Sequence, residues 1–133
     1  MTKTRACPLR TLVWLYLLNA SVLLTHEIDA AYWHEWQLFG IAGGIQLFLI
    51  LNLAVVFIVL YGLKALAQGC AAGIVFSWVL VAGGWFAGIV HTYLIVSGDA
   101  AFRLPMSVLL LAATLILSSL QAIELVRSRR QAL

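Results

Sequence analysis

Between His26 and Trp36 the chain reads His-Glu-Ile-Asp-Ala-Ala-Tyr-Trp-His-Glu-Trp, so His26, Glu27, Asp29, His34 and Glu35 bring five imidazole or carboxylate groups into ten residues. Imidazole nitrogens beside carboxylate oxygens suit zinc, iron or manganese. A buried histidine next to a carboxylate also exchanges protons near physiological pH. His91 is the third histidine of the chain, far off in sequence. On a helix His26 and Asp29, three residues apart, are neighbours, while Glu27 points about 100° away, nearer to the face of His34. The spacing therefore predicts two groups: His26, Asp29 and His91 as metal ligands, and Glu27, His34 and Glu35 beside them, with Trp36 and Tyr32 lining the surroundings. The paired Glu-x-x-His motifs of dinuclear helical bundles are absent, so one ion is expected and not two.

Those groups must be carried by elements that lie in a membrane. Hydrophobic residues make up 64% of the 133 and charged residues 10%, against about a quarter charged in a soluble domain. Mean hydropathy is +1.05. Four apolar runs, Thr11 to Thr25, Leu38 to Leu63, Cys70 to Val90 and Leu104 to Ile123, predict spanning helices, each but the first reaching the roughly 20 residues that crossing the hydrocarbon takes. Helices are expected over about 9–33, 37–64, 69–97 and 104–126, in a single membrane domain covering 1–133. A β-barrel strand would alternate polar and apolar residues, which Leu47 to Val59 does not. The fold class is all-α, a four-helix transmembrane bundle. Eight scattered Lys and Arg form no basic face, so no nucleic-acid partner is expected.

Charge then sets the orientation. With the N-terminus cytoplasmic, Lys3, Arg5, Arg10, Lys64, Arg127, Arg129 and Arg130 lie inside and Arg103 alone outside, as the positive-inside rule prefers. Both termini are then cytoplasmic, in an inner membrane, and the basic tail meets an anionic leaflet. Glu27, Asp29, Glu35, Asp99 and all three histidines fall on the outer side. Counting about 20 residues of helix from Arg10 and from Gly69 brings the His26 to Asp29 turn and His91 to the same depth, just below the outer headgroups. Ionisable groups there are costly and should turn inward. The first run is expected to be retained, because no A-x-A cleavage site follows it. Cys7 and Cys70 are unpatterned and sit on the reducing side, where neither a disulfide nor a metal clip is expected.

Glycine pairs Gly40/Gly44, Gly69/Gly73 and Gly84/Gly88 have the small-xxx-small spacing that lets membrane helices approach, within one chain or in a homo-oligomer. The dipeptides Gly43-Gly44 and Gly83-Gly84 are expected inside helices. Tyr32, Trp33, Trp36, Phe39, Trp85, Phe86 and Tyr93 read as an interfacial aromatic belt or, alternatively, a wall for a lipid-like ligand. Asn19, Gln46 and Asn52 read as hydrogen-bond partners between helices. Nucleophile elbow, phosphate loop, CxxC and HExxH motifs are all missing.

The stretch HEIDAAYWHEWQLFG (26–40), then GGIQLFLILN (43–52), and later Gly98, Phe102, Pro105 and Ser107, resemble an uncharacterised bacterial family of small four-span membrane proteins. That resemblance implies the four-helix fold and singles out His26, Glu27, Asp29, Glu35 and Trp36. It implies no activity. Taken together, the residues predict a multi-pass membrane protein, in contact with lipids, whose outer His/carboxylate site binds a metal ion or a protonatable or polar ligand. The alternatives are a metal-dependent enzyme acting on a lipid-like substrate, and a structural or accessory subunit in which His26 and Asp29 only tie helices together.

Overall fold

The computed structural model describes residues 6–98 and 101–130. Lys3, Arg5 and Asp99 lie outside the described residues. Five helices follow one another: α1 (Ala6–Tyr32), α2 (Glu35–Leu38), α3 (Gly44–Ala67), α4 (Ala71–Val96) and α5 (Pro105–Arg130). All but α2 are long and apolar enough to cross a membrane. The 24 residues of α3, at 1.5 Å each, cover about 36 Å, more than the roughly 30 Å of hydrocarbon. The four-helix bundle expected from the hydropathy is therefore the observed fold.

The helix limits follow from local chemistry. Pro105 opens α5, where its missing N–H costs nothing. Gly69, at φ 71°, ends α3, and Cys70 N–H donates to Ala65 O at 3.0 Å, closing the helix on a left-handed residue. The second run departs from expectation. It predicts a helix from about 37, but the chain makes the single turn α2, then a loop, and α3 begins only at Gly44. Gly40 and Gly43 are left-handed, at φ 61° and 99°, and no helix runs through such residues. Gly40 and Gly44 are accordingly not a helix-packing pair, and Gly43 caps α3 from outside it. Gly69 likewise belongs to a turn.

Around the bundle the spanning helices form a ring, with α5 packed along α1 and α4, and α3 packed along α4 and more loosely along α1. Gly84 and Gly88 let α4 and α5 meet: a Cβ at Gly84 would collide with Ser118 Oγ, and one at Gly88 with Leu115. Gly73 lets α4 approach the α3 backbone at Leu66. These small residues therefore join helices within one chain. Buried Leu12, Tyr16, Leu23, Leu66, Leu80 and Leu125 fill one part of the core. Leu49, Leu53, Phe57, Phe86 and Ile89 are exposed, as suits side chains facing lipid.

A polar layer crosses the middle. Asn19 Nδ2 donates to Gln121 Oε1 at 2.9 Å and to Ser118 Oγ at 3.2 Å. Gln121 Nε2 reaches Ser77 O at 3.5 Å. All four side chains are fully buried. Asn19 is thus an interhelical partner as expected. Asn52 Nδ2 donates to Phe48 O in its own helix at 3.1 Å and its side chain also meets Glu27 of α1, whereas Gln46 is exposed.

Candidate functional site

At the end of the bundle that carries α2, a second core cluster of Ala30, Phe48, Ala101, Phe102 and Leu111 encloses the histidines. His26 of α1 is 0% exposed and His91 of α4 is 3% exposed. Their rings meet edge to face, with centroids 4.7 Å apart. Two helices whose sequence positions differ by 65 residues therefore deliver imidazoles to one point, as the depth count predicts.

The two rings are held differently. His91 Nδ1 lies 2.7 Å from Ala87 O. That contact requires an N–H at Nδ1, which leaves Nε2 turned to the site, the way a backbone carbonyl orients a ligating imidazole. His91 Nε2 stands 3.5 Å from Glu35 Oε1, within ion-pair range but not aligned as a hydrogen bond. Neither nitrogen of His26 has a hydrogen-bond partner. Leaving a buried polar group unpaired costs about 1–3 kcal/mol.

Asp29 lies one turn beyond His26 on α1. Its Oδ1 accepts from Ser107 Oγ at 2.9 Å, and Ser107 Oγ accepts in turn from Trp33 Nε1 at 3.3 Å. Asp29 Oδ2 is buried and has no partner. Glu27 turns to the neighbouring face, toward Asn52 of α3 and within electrostatic range of Glu35 and His91. Glu35 reaches the site because α1 stops at Tyr32 and His34, left-handed at φ 54°, reverses the chain into α2. His34 itself is exposed, with its ring 5.0 Å from Trp36. Trp36 packs on Phe48 at 5.4 Å. Tyr32 is 65% exposed and edge-on to Trp33.

Three of the predicted residues, His26, His91 and Glu35, are thus brought together, with Asp29 and Glu27 on adjoining faces, while His34 and Tyr32 sit at the surface. Of the second predicted group, Glu27 and Glu35 remain within electrostatic range of each other, while Glu35 also meets His91 and His34 turns to Trp36. Among the described residues no three His, Cys, Asp or Glu side chains, the expected set His26, Asp29 and His91 included, are grouped closely enough to hold a metal ion between them. Glu27, Asp29 and Glu35 gather at this end, where Arg103 is the only Lys or Arg among the described residues. Arg103 Nη2 donates to Ile95 O at 3.4 Å, and to no carboxylate among the described residues.

Phe102 and Ser107 figure in the sequence resemblance, but sequence reasoning did not place them in the site. Phe102 lies in the α4–α5 connection, yet is 0% exposed, with its ring 4.3 Å from His91, 5.8 Å from His26 and 6.0 Å from Trp33. Its backbone is left-handed, φ 61°, a conformation that costs a residue with a Cβ about 1–2 kcal/mol. Ser107 is a lone hydroxyl two residues after Pro105 in an apolar run, which is a signal, though one without a partner in sequence.

Among known proteins, the family of unknown function DUF6713 matches residues 12–128. The chain belongs to this family. Comparison with curated proteins returned no match, and neither did comparison with solved structures. The DUF6713 match spans α2, α3 and α4 whole and most of α1 and α5, together with every residue of the histidine cluster, so the site is internal to the family's own region.

Proposed function

We propose that this DUF6713 protein is a multi-pass inner-membrane protein that binds one divalent first-row transition metal ion, zinc, iron or manganese, between His26 and His91. Glu35 is the nearest carboxylate donor, with Asp29 and Glu27 supplying charge around it. The observation that carries the reading is His26, a fully buried imidazole with both nitrogens unpartnered, set against a second imidazole whose free nitrogen is aimed by a backbone carbonyl. Protonation does not satisfy His26, since it would give two buried N–H donors in place of one. A Lewis acid does satisfy it, by taking a nitrogen lone pair directly.

Distance supports the same reading. Two imidazoles on one tetrahedral ion, with metal–nitrogen bonds of about 2.0–2.1 Å, have ring centres roughly 5 Å apart, and these stand at 4.7 Å. So does charge: three carboxylates near one another within a membrane are costly without a cation. In the cell the α2 end faces outward, because Arg10, Lys64, Arg127, Arg129 and Arg130 lie at the opposite end.

The test is cobalt or zinc titration of detergent-purified, chelator-treated protein, with elemental analysis after desalting. One ion per chain is expected for the wild type, with affinity falling at least 100-fold in His26→Ala and His91→Ala. No stoichiometric metal in the wild type, or undiminished affinity in both variants, defeats the proposal.

A further inference from the structure

The ring of Phe102 covers both imidazoles on the side of the α4–α5 connection. Although it lies in a connection between helices, Phe102 is fully buried, and its left-handed backbone is a conformation that a bulky residue adopts only when its surroundings fix it there. It contacts His91, His26 and Trp33 at once, while Phe39 stands 6.2 Å from His91 at another edge. Catalytic metal sites keep a coordination position open to water or substrate, whereas structural and storage sites are closed by the protein.

We propose that Phe102 is the specificity-determining residue of this site: its ring occupies the approach to His26 and His91, so that an ion whose waters are replaced by the two imidazoles and the neighbouring carboxylates is closed off from water, small anions and substrate. This rests on reading the two imidazoles as a ligand pair. A bound ion therefore exchanges slowly and offers no position to an added ligand, and the imidazoles themselves are shielded from small reagents whether or not an ion is present.

Two measurements test it, one of them independent of metal. In metal-free protein, histidine modification by diethyl pyrocarbonate is followed residue by residue by mass spectrometry, with exposed His34 as the internal fast reference. His26 and His91 are expected to react at least 10-fold more slowly than His34 in the wild type and in Phe102→Leu, and to approach the rate of His34 in Phe102→Ala. Leu111→Ala removes another buried side chain of the same cluster and is expected to leave the slow rate in place. Fast modification in the wild type, or equal acceleration in Leu111→Ala, overturns the proposal. In cobalt-loaded protein, azide is expected to leave the visible spectrum of the wild type unchanged and to shift that of Phe102→Ala. An azide shift in the wild type also overturns it, while failure of the wild type to take up cobalt defeats the metal reading and leaves the shielding result to stand or fall on the modification rates.

Discussion

Removing the Ser107 hydroxyl takes the donor from Asp29 Oδ1 and the acceptor from Trp33 Nε1, stranding a buried carboxylate oxygen whose partner oxygen already lacks a bond. Ser107→Ala is expected to lower stability by about 1–3 kcal/mol, read as a fall in melting temperature in detergent. His26 behaves oppositely. Its imidazole makes no hydrogen bond among the described residues, so it is not a polar tie between helices, and an apolar side chain of similar size satisfies its cavity better than an unpaired imidazole does. Metal-free His26→Leu is expected to melt at or above the wild type while losing metal affinity. A sharp drop in melting temperature would instead support a structural role. This trade between stability and binding is the signature of a residue kept for function.

At the level of elements, the contact of α4 with α5 depends on glycine. A branched side chain at Gly84 meets Ser118 and Thr114, and overpacking of this kind disrupts a close-packed core. Gly84→Val is expected to give aggregated or rapidly degraded protein, judged by size-exclusion chromatography, whereas Gly83→Ala, where a Cβ meets only Leu23 at 3.8 Å, is expected to elute as the wild type does. In the polar layer, a double-mutant cycle of Asn19 and Gln121 should give a coupling of about 0.6 kcal/mol and at most about 2, the range for hydrogen bonds between membrane helices. The last three long helices were legible because their apolar runs reach about 20 residues, and the first because no cleavage site follows its shorter run. The reversal at His34 was not, since α1 could have ended anywhere between Ala30 and Trp36 on hydropathy alone. That reversal is what carries Glu35 to His91. Glycine spacing misled for a related reason: four-residue spacing is the same whether Gly40 and Gly44 are helical or, as here, left-handed.

For the molecule as a whole, the depth count brought His26 and His91 together correctly because both lie on uninterrupted helices of known rise. Ser107 and Phe102 escaped it because their partners are set by tertiary packing alone. Topology makes its own prediction: Cys70 is exposed at the end remote from the histidines. In a Cys7→Ser background, a membrane-impermeant maleimide is expected to label Cys70 in inverted vesicles and not in intact cells, and the reverse pattern would place the histidine site on the cytoplasmic side. The central claim is that two imidazoles from α1 and α4 bind one ion, and X-ray absorption at the metal edge of zinc-loaded protein tests it most directly. The expected spectrum has about two imidazole ligands at 2.0–2.1 Å together with carboxylate oxygen. A shell made of oxygen alone, or an unchanged spectrum in His26→Ala, would contradict it.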